Sequence, residues 1–235
     1  MSPAGSGDAG NAATPTRPIR DVVAVPLGRV QAHLVLEPEP SLIDCGYARS
    51  SGRIEKAMSE HGSALAHLAR VVCTHGHPDH AGGARELALA GIPVLIHPAD
   101  GERLAITWRE MLRQPSRGKF FAAMTPEPPQ TVPIEDGEVL PMLGGLRVIH
   151  TPGHTPGSVC FFGARDRVLF VGDTLQRRFG RVSFASVLYS DDIAMARRAV
   201  QRLASLDVET VVFSHYPPLT ESASEILASL ARRLD

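Results

Sequence analysis

Cysteine is scarce in this 235-residue chain: Cys45, Cys73 and Cys160 are an odd number, each set among apolar neighbours. That argues against a disulfide framework and predicts buried thiols in a reducing, cytoplasmic compartment. An excess of charge of either sign is also missing, with 24 Lys and Arg against 25 Asp and Glu and a formal net charge of -1. Nucleic acid and anionic bilayers select basic clusters, so neither nucleic acid nor a membrane is expected as a partner. No segment approaches the run of about 18 apolar residues that a membrane-spanning helix needs. Residues 1–18, MSPAGSGDAGNAATPTRP, lack a basic segment followed by an apolar one and are not read as a secretory signal. Their Gly, Ala, Ser and Pro content predicts a disordered tail, with a single folded domain over 19–235. Internal repeats and coiled-coil heptads are absent. The apolar content, 43%, is that of an ordinary globular protein with a core large enough to need no staples.

What is present alternates between short β-rich runs and helical patterns. DVVAVPL and RVQAHLVLE, separated by Gly28, predict a hairpin. SLIDCG follows as a strand, residues 51–68 carry apolar residues at helical spacing, and ARVVCT is again a strand. GGARELALAG reads as a helix closed by Gly91 and IPVLIH as a strand. GERLAITWREMLRQ fits a helix, and the Pro-rich stretch after it reads as a long connection, so residues 101–140 are expected to form a lid or insert. LRVIHT, GSVCFF and RVLFVGD are strands. DDIAMARRAVQRLASL is a helix with Asp191 and Asp192 at its start, ETVVFSH a last strand and ESASEILASLARRLD a last helix. This mixture predicts an α/β protein with sheets covered by helices.

The stretch CTHGHPDHAGG, Cys73–Gly83, concentrates His75, His77, Asp79 and His80 just past a strand. His154 in TPGHTPGS, Asp173 in VGDT and His215 in FSH each follow another apolar run within a few residues. Strand ends are where scaffolds present functional side chains, and imidazole with carboxylate suits zinc or iron(II). Alternate residues of an extended loop point the same way, so His75 and His77 can reach one ion while Asp79 and His80 reach a second. A carboxylate has two oxygens, so Asp173 can bridge. The inferred sets are His75, His77, His154 and Asp173 for one divalent ion, and Asp79, His80, His215 and Asp173 for the other. Two such ions roughly 3.5–4 Å apart would hold a water as hydroxide near neutral pH.

THGHPDH, with TPGHTPGS, GDT and SH downstream in that order, resembles the metallo-β-lactamase superfamily over about residues 20–220. LIDCG looks like a strand-end motif of that family, with Asp44 supporting the ligands and Cys45 where Thr or Ser is commoner. The resemblance implies a four-layer αββα sandwich, two mixed sheets flanked by helices, with the metals at one edge of the sheets. Asp173 as a bridging ligand is similar to the glyoxalase II-like (hydroxyacylglutathione hydrolase-like) and lactonase-like branches. The penicillin-hydrolysing group with Cys at the second site has no counterpart here, and His77 stands where flavo-diiron reductases place Glu. Only residues 216–235 follow His215, so the helical region that binds a glutathione thioester is not expected. GDTLQRRFGR echoes a pattern of glyoxalase II and persulfide dioxygenase relatives.

The expected function is hydrolysis of an ester, thioester, lactone or amide of a small-molecule substrate. Hydroxide held by two divalent ions, zinc with iron or manganese as alternatives, would be the nucleophile, and Asp79 would steer the water and shuttle its proton. Two other readings stand beside it: a mononuclear iron persulfide dioxygenase using His75, His77 and either His154 or Asp173, and a non-catalytic metal-binding domain. His97 and His150 flank strands without matching the motif and read as structural; His33, His61 and His67 read as core or surface. Arg177, Arg178 and Arg181 meet either an anionic substrate or solvent. Trp108, Phe120, Phe121 and Met124 line a lid or cover the core. Gly76 and Gly153 would permit tight turns beside the ligands.

Overall fold

The computed structural model describes residues 19–114 and 116–234; the tail expected over 1–18 lies outside them. The first sheet is built from β1 (Val22–Pro26), β2 (Gln31–Val35), β3 (Ser41–Ile43), β4 (Arg70–Val72), β5 (Val94–Ile96) and β6 (Val132–Pro133), hydrogen-bonded in that order. The strands β1 to β3 pair antiparallel, and β3 to β6 pair parallel. The helix α1 (Ser51–Glu60) links β3 to β4, and α2 (Ala84–Leu89) links β4 to β5. Between β5 and β6 lie α3 (Pro98–Leu104), α4 (Trp108–Arg113) and α5 (Arg117–Met124). The second sheet follows: β7 (Val139–Leu140), β8 (Leu146–His150), β9 (Val159–Gly163) and β10 (Val168–Phe170) pair antiparallel in sequence. A separate hairpin, β11 (Leu175–Arg178) with β12 (Arg181–Phe184), precedes α6 (Ile193–Leu203). Then β13 (Thr210–Val212) adds parallel to β10, and α7 (Ala223–Arg232) ends the described chain.

Alternation along the central strands generates the layers, because successive strand side chains point to opposite faces. Leu42 of β3, Val71 of β4 and Val94 of β5 join Ile54 and Met58 of α1 and Leu87 of α2 in an outer core. Their neighbours Ile43, Val72 and Leu95 turn the other way and meet Val148, Phe161, Phe170 and Val212 between the sheets. On the far side Ile149, Cys160, Phe162, Leu169 and Val211 pack on Val200 and Leu203 of α6 and Leu227 and Leu230 of α7. Three apolar layers thus separate helix, sheet, sheet and helix, the αββα arrangement expected. Truncating a fully buried ring such as Phe161 should cost about 3–5 kcal/mol. All three thiols are free and buried, as expected. No helix of the described residues is long and apolar enough to cross a membrane.

The strand directions fix where the chemistry sits. The parallel trio β3, β4 and β5 delivers its C-terminal ends to one edge of the first sheet. In the second sheet, β8 and β10 both run against β9, and β13 runs with β10, so these three also end at a common edge. Asp44, His75, His154, Asp173 and His215 all lie just beyond those ends.

Two local expectations differ from the structure. The helix over 51–68 stops at Glu60; Gly62 takes φ +72, and only a single 3-10 turn, Leu65–His67, follows. The Pro-rich stretch is not a bare connection. It contains α5, capped by the Ser116 hydroxyl accepting from the Lys119 amide, and then the edge strands β6 and β7 of the two sheets.

Candidate metal centre

The seven motif residues converge. Three groups have donor atoms mutually within 4.8 Å: His75, His77 and His154; His75, His80 and Asp173; and Asp79, His80 and His215. The Asp173 carboxylate stands between them. Its Oδ2 is 3.5 Å from His154 Nε2, while its Oδ1 is 3.5 Å from His80 Nε2 and 3.3 Å from His215 Nε2. Asp79 Oδ2 is 3.4 Å from His215 Nε2.

The outer nitrogens of the rings are held from behind. Asp44, buried and at φ +58, accepts from the Thr74 amide at 2.7 Å and from His80 Nδ1 at 2.8 Å. His215 Nδ1 donates to the Arg29 carbonyl at 2.9 Å, and His154 Nδ1 lies 3.2 Å from the Ser190 hydroxyl. Such outer partners select the tautomer and turn the other nitrogen inward. Gly153 sits at φ +127 with a Cβ position 2.1 Å from the Ala196 amide nitrogen, so only glycine lets α6 approach the His154 loop this closely. Gly76 does something other than turn: its amide donates to Asp100 Oδ2 at 2.6 Å.

Asp100, which the motifs did not single out, is fully buried in the first turn of α3. It also accepts from the Thr155 hydroxyl at 2.7 Å and the Gly157 amide at 2.8 Å. One carboxylate therefore ties the His75–His77 loop to the His154 loop. It follows the β5 strand end, and the strand-end rule applied to HPAD would have found it. Ser190 was missed for want of a signal: it is a lone Ser far from any ligand in sequence.

Electrostatics divides the centre. Burial pushes His75, His77 and His154 down and keeps them neutral, with neighbouring imidazoles adding to the effect at His75 and His77. Burial would lower His80 too, but the Asp44, Asp79 and Asp173 carboxylates outweigh it and hold His80 well above the usual range. At His215 burial is likewise overcome by hydrogen bonds to Asp173 and Asp79, which raise it to about 10. Burial opposes ionisation of Asp79, yet His80 and His215 bring it down to about 2.

This donor set fits cations. His75 Nε2 is buried without a hydrogen-bond partner among the described residues. His77 Nδ1 and His154 Nε2 approach to 3.1 Å, and His80 Nε2 and His215 Nε2 to 3.3 Å. Ring nitrogens aimed at one another beside two carboxylates need protons or metal between them.

A cavity of about 520 Å³ opens over these groups, with His77, Asp79, Asp173 and His215 lining its floor and Phe121, Met124, Tyr189, Tyr47 and Tyr216 among its walls. Arg177, Arg178 and Arg181 do not line it: Arg177 donates to the Pro218 carbonyl, and Arg178 lies over Phe179. His97 and His150 stack on each other away from the centre, and His33 packs edge-on to Phe170. A larger cavity, lined by Arg103, Arg117 and Lys119, is further from the donor cluster. Its Arg103 is already paired with Asp191 and Arg117 with the Val187 and Leu188 carbonyls, so the chemistry is assigned to the smaller one.

Residues 39–215 match the family model of the metallo-beta-lactamase superfamily. This chain belongs to that superfamily. Among its relatives, the probable metallo-hydrolase YflN of Bacillus subtilis is 31% identical over 219 residues, 82% of this chain and 81% of that one. The human acyl-coenzyme A thioesterase MBLAC2 is 33% identical over 144 residues, 55% of this chain and 49% of that one. Of solved superfamily folds, TTHA1429 from Thermus thermophilus superposes with a TM-score of 0.70 at 24% identity, covering 91% of this chain and 79% of the other. TTHA1623, solved in a di-iron-bound form, gives 0.66 at 28%, covering 88% and 97%.

Proposed function

We propose that this superfamily member is a hydrolase of small-molecule carboxylic esters or thioesters, working with two divalent ions. His75, His77 and His154 would hold one, Asp79, His80 and His215 the other, and Asp173 would give one oxygen to each. The observation that carries this reading is the division of the Asp173 carboxylate between the two histidine groups. When bound, such ions supply an activated water and polarise the scissile carbonyl.

The chain's own residues do the rest. Asp44, Ser190 and the Arg29 carbonyl keep the imidazoles turned inward. Asp79, in the cavity floor, orients the attacking water. Residues 101–140 contribute Phe121 and Met124 to one wall of the cavity. The names of YflN and MBLAC2 support hydrolysis and an acyl substrate. Imidazole with carboxylate suits zinc and iron alike, and the di-iron relative keeps both in view.

The test is metal-stripped protein reloaded with zinc or iron(II) and offered thioesters, esters, lactones, phosphodiesters and β-lactams. Ester or thioester turnover is expected. Turnover of phosphodiesters or β-lactams alone would overturn the reading, as would persulfide-dependent oxygen uptake by the iron form in place of hydrolysis.

A further inference from the structure

The cavity over the centre has two chemically different ends. At one, Phe121 lies against His77, ring centroids 5.0 Å apart, with Met124 and Tyr189 beside it. At the other, Tyr216 neighbours His215 and Arg29 of the β1–β2 turn lines the cavity. The aromatic surface of the first end continues outward. Phe121 meets Phe120 at 5.7 Å, and Phe120 meets Trp108 edge-on at 5.9 Å. Trp108 is 49% exposed and Phe120 43%, and Leu112, one helical turn from Trp108, is more exposed still. Apolar residues exposed singly need no explanation, but a contiguous strip does. This strip starts on a donor histidine and ends on the outer face of α4.

We infer that the strip binds an extended aliphatic acyl chain. The scissile carbonyl sits at the floor, the chain leaves past Phe121 over Phe120 to Trp108, and the polar leaving group points to Arg29. The inference rests on the hydrolase reading and narrows it to acyl substrates with a long apolar tail. Water adds to the carbonyl carbon and the C–S or C–O bond breaks. The thiol or alcohol leaves with one proton, and the fatty acid departs as carboxylate with release of the other. Each methylene gains apolar contact only on the protein side, so the benefit per carbon is partial.

Two measurements test this. With metal-loaded protein and thioesters of one thiol, kcat/KM should rise by about 1.5- to twofold per methylene from acetyl to dodecanoyl. The dodecanoyl-to-acetyl ratio should fall at least about tenfold in a Trp108→Ala, Phe120→Ala double variant. Trp108 is the one tryptophan of the chain, so its emission reports the strip directly. Dodecanoate should shift it to the blue with saturation, and acetate should not. A flat acyl series with turnover of every member, or Trp108 emission indifferent to dodecanoate, overturns the acyl strip and leaves the hydrolase reading standing. No turnover of any ester or thioester overturns the hydrolase reading itself.

Discussion

The floor and the wall of this cavity are made by opposite means. In the floor, His75, His80 and His154 are buried, and each ligand loop is tied down by a carboxylate or hydroxyl: Asp44 on the His80 side, Asp100 and Ser190 on the His154 side. In the wall, α4 and α5 are short, their aromatic residues touch chiefly one another, and Trp108 and Leu112 face solvent. The floor is over-determined because metal donors misplaced by a fraction of an ångström bind poorly. The wall has only to offer apolar area. Substitutions in the floor should therefore act on metal and turnover, and substitutions in the wall on substrate choice.

The largest expected effect is at Asp173. Asp173→Ala removes an oxygen from both histidine groups and should lower activity by at least about 100-fold, with loss of metal. Asp79→Asn keeps shape and one donor oxygen, so it should retain at least one ion and more activity. If Asp173→Ala keeps both ions and full activity, the shared-carboxylate geometry is irrelevant to function. Asp100→Ala comes next. It strands the Gly76 and Gly157 amides, at about 1–3 kcal/mol each where they stay buried, and leaves the Thr155 hydroxyl to Ser158 alone. A lower melting temperature and weaker metal binding are expected together; weakening of neither would show that the loops hold themselves.

A pH effect sharpens the contrast within the floor. In the metal-free protein His80 and His215 are held protonated, while His75, His77 and His154 are neutral. A metal must displace protons from the first pair but not from the trio. Affinity of the Asp79–His80–His215 group should rise with pH until His215 loses its proton near 10. Calorimetry at neutral pH in buffers of different ionisation enthalpy should give about two protons released with that ion and about none with the other. Equal release would remove the distinction. The smallest effect belongs to the wall: Leu112→Ser should change stability by no more than about 0.5 kcal/mol.

The floor was legible in the sequence because its residues follow apolar runs within a few positions. Strand ends are read from local pattern, and the topology then brings them to one edge. The central strands were legible for the same reason, being short apolar runs between turn signals. Asp100 was within reach of the same strand-end rule but matches no motif and acts through contacts 24 and 57 residues away, while Ser190, 36 residues from His154, carries no signal at all. The Pro-rich stretch after Gln114 misled because proline there reads as irregular, while α5 is held by its Ser116 cap and the contact of Phe121 with His77. The helix over 51–68 was overextended because apolar spacing continued past Gly62, whose backbone ends it.

The central claim, two ions sharing Asp173, is tested most directly by elemental analysis of reconstituted wild-type protein beside Asp173→Ala. The account expects about two ions per chain in the wild type and a marked loss in the variant. One tightly held ion in a fully active wild type, or an unchanged content in Asp173→Ala, would contradict it.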